Sequence, residues 1–261
     1  MLTSASSIVS RLRAAGCVFA EEEADLLIGA ASASKELDAM VERRAAGEPL
    51  EYVLGWAEFC GLRVAVAPGV FVPRRRTEFL VRQAAGLAVE RPVVVDLCCG
   101  TGALGLALAS MVEVAELHAA DVDPAAVACA RRNVADSAAD GHVYEGDLYE
   151  ALPPSLMGRV DVLLCNVPYV PTGDVELLPS EARDHEHRVA LDGGADGLDV
   201  LRRVTGAAPL WLAPGGHLLF ETSERQVPSA IEAVERSGLN ARVAEDDEMG
   251  ATVVIGTRPS A

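Results

Sequence analysis

The chain has 261 residues, half of them apolar, with 4% aromatic residues and a formal charge of −17. That length suits one large domain, or one domain with a small appendage, and the acidity argues against direct nucleic-acid binding, which needs a basic footprint. No apolar stretch approaches the roughly 20 residues that span a bilayer, so a soluble, cytoplasmic, monomeric protein without membrane contact is expected.

The start, Met1 to Cys17, is serine-rich with Arg11 and Arg13 and superficially resembles a transit peptide. Ile8, Leu12 and Ala15 recur at helical spacing, however, and Glu21-Glu22-Glu23 opens another helix at once. Helices are predicted over Ser7–Ala15, Glu21–Ala33 and Lys35–Ala46. Glu58 to Val66 alternates apolar and polar residues, and Gly69–Pro73 follows a Pro68-Gly69 turn, which predicts a β-hairpin of those two arms. Arg74-Arg75-Arg76 reads as a solvated turn, and Thr77 as the N-cap of a helix to Ala88.

From Pro92 strands alternate with helices. Strands are predicted at Val93–Asp96, Val114–Asp121, His142–Glu145, Val160–Cys165, His217–Glu221 and Thr252–Gly256. Helices fit Leu104–Met111, Pro124–Ala135, Leu198–Ala207 and Pro228–Ser237. The alternation predicts an α/β, Rossmann-like fold with a parallel sheet covered on both faces.

Six cysteines are scattered without C-x-x-C pairs, and several sit in apolar runs where cysteine acts as a small hydrophobe. Cys98 and Cys99 are read as small side chains in a dense loop rather than a redox pair. His185-x-His187 with Glu181 and Asp184 lacks a second ligand cluster, so no metal is expected.

Val93 to Gly105 reads as strand, glycine loop and helix start, and Gly100, Gly102 and Gly105 match G-x-G-x-x-G. A nicotinamide-dependent dehydrogenase is therefore a rival. Asp96 at the strand end argues against it, because a carboxylate there repels a pyrophosphate and suits the cationic S-adenosylmethionine (SAM). Asp121 ends the second strand and suits ribose hydroxyls, which both cofactors carry; Asp147 and Leu148 after the third suit an adenine. The expected cofactor set is Asp96, Cys98, Gly100, Thr101, Gly102, Asp121, Asp147, Leu148 and Asn166.

The fourth of these strands ends in Asn166-Val167-Pro168-Tyr169. A side-chain oxygen, a main-chain carbonyl and a flat ring suit a planar –NH2 group, as in methyl transfer to an amide or ring-amine nitrogen. The plain alternative is an Asn-initiated turn stiffened by proline. The four residues are the expected catalytic set, with Tyr169 stacking on or walling the target group.

With these motifs, from about residue 40 onward, the chain resembles the HemK/PrmC-type protein-(glutamine-N(5)) methyltransferases, which act on the Gly-Gly-Gln loop of peptide-chain release factors. Arg44 to Gly55, Phe71-Val72-Pro73-Arg74, Glu181-Ala182-Arg183-Asp184 and Ala190 to Asp199 carry the resemblance beyond the loop and Asn166-Val167-Pro168-Tyr169. It implies a helical substrate-recognition domain (1–57), a hairpin linker (58–76) and a seven-stranded SAM-dependent catalytic domain (77–261), with a release factor as protein partner. The chain departs from the family pattern at Val167 for proline, at Cys98 for glycine, and at Pro73-Arg74-Arg75-Arg76-Thr77-Glu78 for Pro-Arg-Pro-Glu-Thr-Glu. The rival readings are a SAM-dependent enzyme acting on another nitrogen and a SAM-binding protein without turnover.

Overall fold

The computed structural model describes residues 4–260; Met1 to Thr3, part of the serine-rich start, and Ala261 lie outside the described residues. Four helices come first: α1 (Ala5–Ala14), α2 (Ala20–Ala30), α3 (Ser34–Ala45) and the short α4 (Leu50–Leu54). They enclose a core of their own, built on Ile8, Leu12, Ala24, Leu27, Val41 and Val53. The first three match the apolar spacing of the sequence, shifted by one to three residues at their ends. The fourth is too short to show a period.

The hairpin differs from the expected one. Its strands are β1 (Trp56–Phe59) and β2 (Leu62–Ala65), with Phe59 opposite Leu62. The turn lies inside the segment that reads as one alternating strand, at Cys60 and Gly61, with φ of 50° and 76°. Two consecutive positive φ values define the tight turn whose twist matches a hairpin, and Gly61 takes that conformation freely. Gly69 instead bridges to Glu186. Thr77 does not cap α5 (Glu78–Leu87) with its side chain; its hydroxyl donates to Glu221 Oε2 at 2.7 Å.

The remaining strands are β3 (Val93–Leu97), β4 (Glu116–Asp121), β5 (Gly141–Glu145), β6 (Val160–Cys165), β7 (Leu212–Glu221), β8 (Asn240–Asp246) and β9 (Ala251–Thr257). They form one sheet in the order β5-β4-β3-β6-β7-β9-β8. The sheet is mixed rather than wholly parallel, since β9 runs antiparallel to both β7 and β8. The edge strand β8 escaped prediction because Asn-Ala-Arg-Val-Ala-Glu-Asp carries charge and small residues in place of an apolar run.

Helices α6 (Ala103–Met111), α7 (Pro124–Ala135), α8 (Ser180–His185), α9 (Asp199–Trp211) and α10 (Val227–Arg236) complete the chain. Alternate residues of one strand serve opposite faces. Val95, Leu97, Leu163 and Cys165 pack with Leu201, Val204, Ala230 and Val234, whereas Val94, Val162 and Leu164 pack with Leu80, Ala84, Leu104 and Leu108. Burial on both faces explains why β3 and β6 read as apolar runs interrupted by only one aspartate each, Asp96 and Asp161. Among the described residues no helix is long and apolar enough to cross a membrane.

Candidate active site

Because β3, β4, β5 and β6 are mutually parallel, their carboxyl ends share one edge of the sheet. The loops leaving that edge surround a cavity of about 280 Å³. Cys98, Gly100, Thr101, Asp121, Asp147, Leu148 and Asn166 all line it. The loop after β3 turns through positive φ at Cys98 (54°), Gly100 (55°) and Gly102 (77°). Gly100 donates its N–H to Asp121 Oδ2 at 2.8 Å, and the Asp123 N–H reaches Asp121 Oδ1 at 2.9 Å. Burial pushes the Asp121 carboxyl above its ordinary pKa, opposed by those two N–H groups. Each oxygen keeps a lone pair for a further donor. Asp147 accepts from Arg203 at 2.7 Å, and Leu148 sits at φ 50° beside it.

Asp96 and Gly102 are not in the lining. Asp96 is buried behind the loop, where its Oδ2 accepts the Gly105 N–H at 2.9 Å and its Oδ1 has no partner among the described residues. Burial raises its pKa to about 8, so the carboxyl is largely protonated at neutral pH. Asp96 thus stands behind the glycine loop, tied to the start of α6, rather than in the cavity lining. Gly102 starts α6 and a Cβ there would lie 3.4 Å from the Ala130 Cβ; Gly105 lets α6 approach the sheet, since a Cβ would meet Leu117 at 2.8 Å.

A second cavity, of about 330 Å³, adjoins the first. Phe71, Arg74, Asn166, Pro168 and Ala190 line both. The second adds Arg76, Val167, Tyr169, Pro179, Glu181 and Leu191. Asn166 thus stands at the junction, and its buried Oδ1 has no hydrogen-bond partner among the described residues. An uncompensated buried acceptor costs about 1–3 kcal/mol and marks a place where a ligand donor is expected.

Residues 61–179 match the Methyltransferase small domain family. A release factor glutamine methyltransferase of Geobacter sulfurreducens is 39% identical over 219 residues, covering 84% of this chain and 76% of that protein. The chain belongs to the release factor glutamine methyltransferase family. It is a SAM-dependent enzyme of the Rossmann-like methyltransferase fold. Another relative, the 4-amino-L-phenylalanine/4-methylamino-L-phenylalanine methyltransferase of Streptomyces pristinaespiralis, is 39% identical over 196 residues, covering 72% of this chain and 66% of that protein. The 16S rRNA N2 G1207 methyltransferase of T. thermophilus, solved with AdoMet and guanosine, shares the fold at a TM-score of 0.57 and 22% identity, over 78% of this chain and 49% of that one.

The first cavity fits SAM by its donor and acceptor set: Asp121 for paired hydroxyls, an open loop backbone at Gly100, and the apolar walls of Leu148 and Phe71. Phe71, Arg74, Val189, Ala190 and Arg203 also line it, and the motifs of the sequence did not point to them. Phe71, Arg74 and Ala190 carry a signal only as parts of the segments in the family resemblance, and Val189 and Arg203 carry none.

The structure also gives the family's glycine-rich stretch a physical reason. A Cβ on Gly193 would meet the Pro168 carbonyl at 2.5 Å, and one on Gly197 the Tyr169 carbonyl at 2.2 Å. Gly193 donates to the Val170 carbonyl at 2.8 Å, and Val170 to the Leu191 carbonyl at 3.1 Å. Residues 191–197 therefore brace the backbone of Asn166-Val167-Pro168-Tyr169 from behind. Tyr169 is itself fixed: its hydroxyl donates to Glu221 Oε1 at 2.9 Å and accepts from Arg76 Nη2. Burial, with Glu221 adding, pushes the Tyr169 phenol up to about 12, so it is no base at neutral pH. The residues of the weak metal pattern are engaged separately, Glu181 with Arg44, Asp184 with Arg183 and His187 with Asp123.

Proposed function

We propose that this enzyme methylates the side-chain amide of a glutamine in the Gly-Gly-Gln loop of a peptide-chain release factor, with the second cavity as the acceptor site. The observation that carries the reading is the buried, unpartnered Asn166 Oδ1 at the junction of the two cavities. The Val167 carbonyl likewise has no hydrogen bond among the described residues. Together they accept both hydrogens of an amide –NH2, which orients its nitrogen and stabilises positive charge developing there. SAM, held along Asp121, Gly100 and Leu148, supplies an electrophilic methyl group. Fixing the acceptor in line contributes on the order of 7 kcal/mol. An amide nitrogen that has gained a methyl group is acidic enough to lose its proton to water, so the raised pKa of Tyr169 is no obstacle.

On this reading the helical unit up to residue 57 recognises the protein substrate and the segment 58–76 links it to the catalytic part. The apolar share of the second cavity, with Phe71, Pro168, Tyr169 and Leu178, favours a second reading, an aromatic amine on a free amino acid. Incubation of the enzyme and SAM with a release factor carrying an unmodified loop, and separately with 4-amino-L-phenylalanine, decides between them. Tandem mass spectrometry placing a methyl group on the loop glutamine is the expected result. Methylation of the free amine alone overturns it.

A further inference from the structure

Arg44 lies in α3, far from both cavities in sequence, and is only 7% exposed. Its Nε and Nη2 grip the carboxylate of Glu23 in α2 at 2.6 and 3.0 Å. Its Nη1 donates to the Glu48 carbonyl at 3.0 Å and to Glu181 Oε1 at 2.6 Å. Glu181 lies in the first turn of α8, between Pro179 and Ala182, and all three line the second cavity. The pair with Glu23 already neutralises the guanidinium, and a fork of two parallel bonds is its strongest arrangement. Adding Glu181 leaves the cluster one negative charge in excess, so neutralisation does not account for it. Glu181 keeps a side chain 47% exposed, and its Oε2 has no hydrogen bond among the described residues.

We propose that Arg44 is a positioning residue of the acceptor site: it holds Glu181 at the cavity wall, with Oε2 free to accept an N–H of the incoming protein loop. The proposal rests on the reading of the second cavity as the acceptor site. The same wall is tied from two further points. The Tyr52 hydroxyl donates to the Val70 carbonyl at 2.7 Å and reaches the His185 carbonyl at 3.5 Å. Arg74 donates to both oxygens of the buried Glu186 at 2.7 Å, and the Val72 N–H to its Oε1 at 3.1 Å. Without Arg44, α8 keeps its C-terminal anchors and loses the N-terminal one. The helical unit therefore sets the acceptor wall directly, and the cofactor cavity, which contains neither Glu181 nor Ala182, is left alone.

The test uses the full chain with Arg44→Lys, which cannot fork one carboxylate while holding another, and Glu181→Ala, which leaves the buried Arg44–Glu23 pair intact and so folds. In both, KM for the release factor should rise about tenfold or more, while kcat and the calorimetric affinity for SAM stay within about twofold. Amide hydrogen exchange over residues 180–183 should quicken about tenfold in Arg44→Lys, with no change in β3 or β6. An unchanged KM in Glu181→Ala, or unchanged exchange in Arg44→Lys, overturns the proposal. If the wild-type enzyme transfers no methyl group to the release factor, the proposed acceptor is wrong, and the exchange measurement still decides whether Arg44 holds this wall.

Discussion

The Tyr169 hydroxyl donates to Glu221 Oε1 at 2.9 Å, joining the end of Asn166-Val167-Pro168-Tyr169 to the end of β7 beside the second cavity. Glu221 is 3% exposed and takes further bonds from Thr77 Oγ1 and Arg76 Nε, each at 2.7 Å. Arg76 occupies a position where the family pattern has an acid, so the chain has placed a cation beside a buried carboxylate.

Arg76→Met should therefore destabilise the protein and loosen Tyr169 together. Breaking a buried pair costs about 3–5 kcal/mol, and the half-exposed Arg76 lowers this to about 1–3 kcal/mol. Urea unfolding reads the stability, and kcat should fall about tenfold with the ring no longer fixed. Full stability and activity in the variant would show that Glu221 is satisfied by Thr77 and Tyr169 alone.

Asp96 gives the pH dependence. Its folded pKa is raised to about 8 from an ordinary 3.8. The folded state therefore holds a proton that the unfolded chain releases. The contribution is fully present below about pH 4 and is lost as pH rises through about 8. Asp96→Asn mimics the protonated carboxyl and keeps an acceptor for Gly105. Its stability relative to the wild type should increase steadily from pH 5 to pH 8, as measured by urea midpoints. A difference that does not change with pH contradicts a protonated Asp96.

The strand ends that bear the site were legible because each is a local signal, a strand-like segment closed by Asp121, by Asp147-Leu148 or by Asn166. What the sequence could not show was depth. Asp96 and Asp121 are both acids at strand ends, yet one lies behind the glycine loop and one within the cavity, and only packing separates them. The linker turn was misread because Cys60 stands where asparagine or aspartate usually announces a positive φ. Val189 and Arg203 reach the cavity from segments with no motif of their own, so only the folded chain reveals them. Gly193 and Gly197 were visible as a family likeness, and their purpose appears once the Pro168 and Tyr169 carbonyls are seen against them.

Cys98, where the family pattern has glycine, adopts φ 54°. A side chain in the left-handed region costs about 1–2 kcal/mol, partly offset here by packing against the core. Cys98→Gly should hold or raise stability by up to about 1 kcal/mol, and Cys98→Val should lower it by at least about as much. Thermal unfolding of the two variants checks this. A stabilising valine would mean that the loop does not need the left-handed conformation.

Val167→Pro tests the other departure. The Val167 N–H has no hydrogen bond among the described residues, so proline removes none and keeps the carbonyl. The buried Val167 side chain loses some packing, on the order of 1 kcal/mol. Turnover on the release factor should stay within about threefold or rise. A drop beyond about tenfold would instead assign the N–H a donor role toward the acceptor.

Asn166→Ala tests the amide clamp most directly. The variant should bind SAM within about threefold of the wild-type affinity by calorimetry while losing at least about a hundredfold in kcat on the release factor, the usual cost of removing a group that stabilises developing charge. Near-normal turnover with the alanine in place would contradict the clamp and return Asn166 to the part of a turn residue.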